Sequence, residues 1–371
     1  MRNCLYAATA AILLLSSCQG PVRRTAHGFR TESPVSRYEV VCYAPEIIQV
    51  VKSPLYKEMD TEPTASVTLR PGKVHFDVNT LPDGTIRLET DSLRVELDPA
   101  AGVFSFSRSD GTLLLQEQPE AVSHQEIFQG FLLDQDESIY GLGQHKGSGL
   151  DQRGRRYHLE NVNTEIAIPL FHSVKGYAVY WDNYSPTEFA SGEDWVSFSS
   201  SAGKNCSYFF LGGGNADGVV RNIRTLTGQA PMNPLWSFGF HQSRERYSSA
   251  EELVGIVRKY RELGVPLDGI IQDWQYWGSN YLWNAMDFLT EDYADGKGMI
   301  DQVHQKNAHF MISIWASFGP KTKAYRQLDE KGLLFDFETW PQSGLTFWPP
   351  RMDYPSSVRV YDAFSKDARD I

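Results

Sequence analysis

No apolar run in this 371-residue chain approaches the ~20 residues that a helix needs to cross a bilayer. The most apolar stretch, from Leu5 to Leu15, is too short, and no other candidate span follows it. Basic charge is also in deficit: 35 Lys and Arg against 46 Asp and Glu leave a formal net charge of −11. Nucleic-acid binding rests on Lys and Arg neutralising phosphates, so this balance argues against such a partner. Nine histidines occur without a His-Glu-x-x-His pattern or a Cys/His spacing, so no metal site is expected. Gly141-Leu-Gly143 and Gly212-Gly-Gly214 lack the Lys-Ser/Thr ending of a P-loop and read as turns, which leaves no cofactor implied. A Gly-x-Ser-x-Gly nucleophile elbow is absent too.

The N-terminus has the build of a targeting segment. Met1-Arg2 opens it, and the short apolar run reads as a signal-peptide h-region rather than a span. Leu15-Ser-Ser-Cys18 resembles a bacterial lipobox, which implies cleavage after residue 17 and lipidation of Cys18. An ordinary secretory signal with a coincidental cysteine is the other reading. The expected location is the bacterial cell envelope, with the lipid anchor as the one membrane contact. Of the four cysteines, Cys4 leaves with the signal and Cys42 and Cys206 remain. They could pair in an oxidising compartment, but two buried thiols in separate strands is the preferred reading.

Residues 18–37 mix Pro, Arg, Thr and Ser without periodicity and are expected to be a tether. From residue 38 to 230 the chain reads as all-β. Val74, Phe76 and Val78 alternate with polar neighbours, as do Ile86 and Leu88, then Leu93, Val95 and Leu97. Pro82-Asp-Gly84 and Asp110-Gly111 punctuate them, which predicts a β-sandwich. Val219, Val220, Ile223 and Leu226 place an apolar face on a short helix before the link to the next domain.

Residues 231–371 change period. Ser249-Ala-Glu-Glu252 is a capping box, and Leu253, Ile256, Val257, Tyr260 and Leu263 follow at helical spacing until Gly264 and Pro266 end the helix. The apolar run Leu267-Asp-Gly-Ile-Ile-Gln-Asp-Trp-Gln-Tyr-Trp277 then reads as a buried strand with Asp273 at its C-terminal end. Leu235–His241 and His309–Trp315 read as the strands on either side, with a helix over 298–306 between the last two. Polar residues at the C-terminal ends of successive parallel strands are how a (β/α)8 barrel builds a site.

Pro234-x-Trp236-x-x-Gly239-x-x-x-Ser-Arg-x-x-Tyr247, then Ile-Ile-Gln-Asp273-Trp, then Ile-x-Ile-Trp315 together resemble glycoside hydrolase family 31. Ser138-Ile-Tyr-Gly-Leu-Gly-Gln144 resembles that family's N-terminal sandwich motif, although Gln144 departs from the glutamate common there. The Asp-Trp-Gln-Tyr-Trp form is similar to the bacterial α-xylosidase-like members. The resemblance implies a galactose-mutarotase-like β-sandwich followed by an incomplete TIM barrel of about three strands. It implies an α-glycosidase, in the first place an α-xylosidase acting by a retaining mechanism on non-reducing α-xylosyl ends of an oligosaccharide. An α-glucosidase, or a glycan-binding lipoprotein without catalysis, are the alternatives.

The resemblance also implies site residues. Asp273 matches the carboxylate that accepts hydrogen bonds from the sugar bound at the cleavage point, and is not the nucleophile; a structural capping role is its other reading. Trp274 would crowd a C6 hydroxymethyl, which xylose lacks. Trp277 and Trp315 would offer faces to the sugar or else pack in the core. Tyr247 and Arg244, beyond the first strand, are further substrate-binding candidates. The family's nucleophile ends the fourth strand and its acid/base lies later; neither is identifiable here. Val358-Arg-Val-Tyr-Asp362 resembles the stretch before that strand, after a Trp/Pro-rich loop from Trp340 to Arg351. Pro234 to Ile371 is a little over half of the ~250 residues of a whole barrel. The expectation is therefore a C-terminally truncated chain, with both catalytic carboxylates beyond Ile371.

Metabolic labelling with a fatty acid should mark the protein, and Cys18→Ala should remove the label. A labelled Cys18→Ala protein would rule out the lipobox.

Overall fold

A computed structural model describes residues 22–119, 127–147, 149–162, 164–338 and 358–371. The targeting segment with Cys18, and the Trp340–Arg351 loop, lie outside the described residues. The chain divides into two compact units that meet between Ala230 and Pro231.

The first unit holds an eight-stranded and a nine-stranded sheet, antiparallel throughout. Alternation does what the sequence pattern predicts: Leu93, Val95 and Leu97 are buried, while Arg94 and Glu96 between them are half-buried. Phe104, Phe106, Phe131, Phe171, Trp181, Phe198, Tyr208 and Phe210 fill the layer of the core. At the predicted turn, the Asp83 carboxylate accepts from the Thr85 N–H (3.0 Å) and Gly84 takes φ +91°.

The expected tether is corrected for its described part. Gly28–Glu32 is a strand paired with Ser36–Ala44, and Phe29 on it is fully buried. Gly28 makes that pairing possible: a Cβ there would fall 1.9 Å from the Val40 carbonyl oxygen. One apolar ring and one close backbone approach suffice to recruit a stretch too short to show periodicity.

The outer face of the eight-stranded sheet is covered as well. Val41, Tyr43, Phe209 and Leu211 pack with Val67 and with helix α1 (Ala216–Thr227), which presents Val219 and Leu226. Val220, expected on that face, is exposed. Cys42 and Cys206 are not joined in a disulfide. Cys42 is buried, and burial pushes its thiol up to about 12; Cys206 is half-buried, short of the burial expected for it.

A charged pair links the two sheets. Lys52 Nζ donates to Glu117 Oε2 (2.7 Å), Gln129 Oε1 (2.8 Å) and the Gly102 carbonyl (3.1 Å). Glu117 also accepts from the Phe104 N–H (2.7 Å) and the Tyr208 hydroxyl (2.7 Å). Both side chains are almost wholly buried, and all three ammonium protons have acceptors. Desolvation raises the Glu117 pKa, while Lys52 opposes that shift.

In the second unit three parallel strands run side by side: His241–Arg244, Gly269–Gln272 and His309–Ile312. Helix α2 (Ala250–Glu262) joins the first two and helix α3 (Gly296–Gln305) the last two. Ser249 Oγ caps α2 by accepting from Glu252 N–H (3.1 Å). Glu252 does not return to Ser249; its carboxylate takes the Ser248 N–H (2.7 Å) and hydroxyl (2.8 Å). Gly264, at φ +65°, ends α2 as predicted: its N–H bonds the Arg261 carbonyl, and the Val265 N–H bonds that of Tyr260.

The expected strand over Leu235–His241 is corrected. Leu235–Phe238 is a 3-10 turn, and the strand begins at His241. Pro234 fixes the entry, Ser237 Oγ folds back to the Pro234 carbonyl (2.7 Å), and the Gly239 N–H bonds the Trp236 carbonyl. The two later strands are also shorter than expected, ending at Gln272 and Ile312. A small antiparallel sheet of Ser317–Phe318, Leu334–Glu338 and Arg359–Tyr361 follows.

Removing one member of the buried pair strands the other. Lys52→Met should destabilise the sandwich by ~3–5 kcal/mol, and Lys52→Met with Glu117→Leu should recover most of it. Urea unfolding followed by near-UV circular dichroism reads both. A single variant within ~1 kcal/mol of the parent would show that the pair is dispensable.

Candidate active site

The register of the three parallel strands sets the site. Arg244, Gln272 and Ile312 are paired across the sheet, so the residues just beyond them emerge together at its C-terminal edge. Asp273 and Ser313 are at that level, and the Ser313 N–H bonds the Gln272 carbonyl (3.1 Å).

Gln272 is fully buried and satisfied on both sides. Its Nε2 donates to the Tyr247 carbonyl (3.3 Å) and the Asp273 carbonyl (3.1 Å). The Tyr293 hydroxyl reaches Gln272 Oε1 (3.1 Å) and also the Tyr247 carbonyl. Burial pushes that hydroxyl up to about 12, so it stays a donor at any physiological pH. One amide therefore joins the loop after the first strand, the end of the second, and the segment before α3.

Asp273 is half-buried. Among the described residues its carboxylate takes one hydrogen bond, from the Trp274 N–H to Oδ1 (2.8 Å). Most of its acceptor capacity is thus uncommitted. The chain then turns sharply, with Gln275 at φ +66° and Gly278 at φ +91°. Six described non-glycine residues have positive φ, and three of them, Gln275, Asn284 and Met286, fall in this one loop. Backbone strain of this kind collects where a loop is held for function.

The loop is anchored by an aromatic cluster and by Asn284. Trp274, Tyr276, Trp277 and Trp283 are buried together, and the Arg246 guanidinium lies over the Trp274 ring (5.3 Å). Asn284 Nδ2 donates to the carbonyls of Trp315 (2.6 Å) and Ser317 (3.1 Å), and its Oδ1 accepts from the Trp315 N–H (3.2 Å). Tyr276 donates to the Ser313 carbonyl (3.1 Å). The segments after the second and third strands are therefore one body.

The sequence candidates separate on this frame. Asp273, Trp274 and Trp315 are gathered along the strand ends, and Trp315 is 45% exposed beside Trp283 (5.0 Å). Trp277 is fully buried, with its ring edge-on to Tyr276 and Trp283. Tyr247 is buried as well and serves through its carbonyl. Arg244 is exposed and paired with Glu252 (2.6 Å). Sequence reasoning missed Gln272, Tyr293 and Asn284. The one available signal was an amide inside an apolar strand, at Gln272. Among the described residues no group of three or more His, Cys, Asp and Glu gathers to hold a metal ion.

Comparison with known proteins gives consistent matches. Residues 37–189 match the glycosyl hydrolase 31 N-terminal galactose mutarotase-like domain, and residues 230–371 match the glycosyl hydrolases family 31 TIM-barrel domain. An alpha-xylosidase of Saccharolobus solfataricus is 35% identical over 67% of this chain and 36% of its own length. Alpha-xylosidase A of Aspergillus niger is 27% identical over 63% of this chain and 31% of its own. The chain thus spans about a third of the length of these curated relatives. Among solved structures, the family 31 alpha-xylosidase of Xanthomonas citri superposes with a TM-score of 0.77 at 22% identity, over 94% of this chain and 55% of that one. The dextranase of Flavobacterium johnsoniae does so with a TM-score of 0.74 at 23% identity, over 92% and 43%. At this identity the two structures establish the shared fold.

Asn284→Ala removes three hydrogen bonds and leaves a left-handed backbone without its tolerant side chain. It should cost ~2–4 kcal/mol locally. Hydrogen exchange should quicken at the amides of Trp315 and Gly319. Unchanged protection there would show that the two segments are not coupled through this residue.

Proposed function

This chain belongs to glycoside hydrolase family 31, and from that premise we propose that its parent protein removes α-xylosyl groups from the non-reducing ends of oligosaccharides. The observation that carries the reading is Asp273. It stands at the C-terminal end of a parallel strand, half-buried, with a carboxylate that leaves most of its acceptor sites open to a ligand. A carboxylate in that state binds sugar hydroxyls through charge-assisted hydrogen bonds, the stronger kind. Trp274 follows it, its ring clamped by Arg246 and Trp283. A clamped indole cannot swing aside, so a C6 hydroxymethyl meets a fixed wall where a xylosyl ring has only hydrogen. Trp315, half-exposed, supplies an apolar face. The alpha-xylosidases among its relatives support the same choice of sugar.

The proposed chemistry is retaining, with a nucleophile and an acid/base ~5 Å apart. Neither role is assigned to a residue of this chain. Asp273 positions the sugar and takes no part in the covalent step. The lipobox ending at Cys18 supports placing the protein on the cell envelope. The α-glucosidase reading follows if Trp274 does not wall off the C6 position.

The protein purified from its native cells should cleave an aryl α-xyloside with higher kcat/KM than an aryl α-glucoside. Trp274→Ile should move that ratio toward the glucoside by ~1–3 kcal/mol, the range for one pocket-sized group. A strong glucoside preference indifferent to Trp274 would overturn the steric argument. The 371-residue chain alone should turn over neither substrate. Turnover by it that vanishes in Asp273→Ala would mean that Asp273 belongs to the covalent chemistry.

A further inference from the structure

At one end of the sandwich three segments converge on a cavity of about 310 Å³.

 The volume of about 310 Å³ would hold one or two pyranose rings, at the low end of the range for ligand pockets. Its walls come from residues 60–64, from the turn Asp182–Ser185, and from the loop Ala202–Asn205 with Ser207. None of these belongs to the barrel strands. Gly203 lets the loops close together: a Cβ there would lie 2.7 Å from Asn183 Nδ2 and 2.5 Å from Ile127 Cδ1.

Two buried acceptors on this wall are under-used. Asp182 is 6% exposed, yet among the described residues no Lys, Arg or His pairs with it. Its carboxylate takes the Thr64 N–H (3.1 and 3.2 Å to the two oxygens) and, at 3.4 Å, the Ser207 hydroxyl. Asn205 is 8% exposed; its Nδ2 donates to the Asp60 carbonyl (2.6 Å), and its Oδ1 finds no partner among the described residues. A buried acceptor without a donor is costly, so the wall calls for a ligand that brings donors. An aromatic ring completes it. Tyr184 is 66% exposed, and its hydroxyl accepts the Ala65 N–H (2.6 Å), which holds the ring in place at the cavity.

We propose that this cavity is a sugar-binding site on the sandwich, separate from the barrel, which takes a neutral pyranose through hydroxyls donated to Asp182 and Asn205 and a ring face laid on Tyr184. Neutrality follows from the charges present. Lys204 Nζ lies 2.6 Å from Asp60 and neutralises it, and also repels a second cation. Asp182 is then the remaining buried charge, and burial raises its pKa, which weakens it as a cation site. Hydroxyl donors satisfy it in the presence of a mixed polar and apolar wall. The proposal goes beyond the reading of Asp273 and does not depend on it.

Ligand-observed saturation-transfer NMR on the 371-residue chain tests it, with xylose, glucose and isomaltotriose as probes and propylamine as the cationic control. At least one sugar should give transfer signals, and Tyr184→Ala should weaken its binding at least fivefold. That side chain is mostly exposed, so the variant keeps its fold, which near-UV circular dichroism checks. Asp182→Leu should act in the same direction. Absence of transfer from all three sugars would overturn the proposal. So would sugar signals indifferent to Tyr184→Ala but lost in Asp273→Ala, which would place the binding at the barrel strands. Displacement of the sugar by propylamine would make the cavity a cation site instead.

Discussion

The loops that carry the barrel-side site depend on one buried amide. Gln272 sits at the end of the middle strand, where an apolar residue would satisfy the core but leave two loops untied. Its Nε2 holds the carbonyls of Tyr247 and Asp273, and its Oε1 takes the Tyr293 hydroxyl. A buried amide is expensive unless every group is paired, and here the pairing partners are the backbones that must be placed. Asp273 inherits its position from this arrangement, since it follows Gln272 directly and its own carbonyl is one of the bonded groups.

Asn284 extends the same logic to the third strand. It behaves as a piece of backbone: two donors and an acceptor matched to the carbonyls and N–H of residues 315–317. Its left-handed φ of +56° is a conformation that asparagine tolerates better than most residues. The packed rings of Trp274, Trp277 and Trp283 then fill the space between the tied segments. The indole rings meet at tilted or edge-on angles, as their quadrupoles prefer.

The sandwich resolves its buried polar groups in two ways. Around Lys52 and Glu117 every strong donor has an acceptor, and the pair crosses from one sheet to the other. Taking both charges out of water offsets much of the gain from pairing them, so such a network adds little net stability although breaking it is costly. Around Asp182 and Asn205 the pairing is incomplete, and the incompleteness lies on the wall of a cavity. The contrast between a closed network and an open one is what separates a structural cluster from a candidate site.

The sandwich strands, the helix over Ala250–Glu262 and its cap, and the placing of Asp273 at a strand end were all legible in the sequence. Each rests on short-range patterns: alternation with period two, helical spacing, Ser249 before the helix and Gly264 after it. The recognition motifs were legible for the same reason, being contiguous. Tertiary structure decided the rest. The Gly28–Glu32 strand forms because a distant partner strand receives Phe29, which no local pattern announces. Leu235–Phe238 curls into a turn because Ser237 finds the Pro234 carbonyl, so apolar content alone misread it. Whether Trp277 or Trp315 faces outward is likewise a matter of which residues far along the chain pack against each ring. Burial is a property of the folded assembly of segments. A sequence states which side chains can bond or stack, and only the fold brings Gln272, Tyr247 and Tyr293, or Asp182 and Asn205, to the same place.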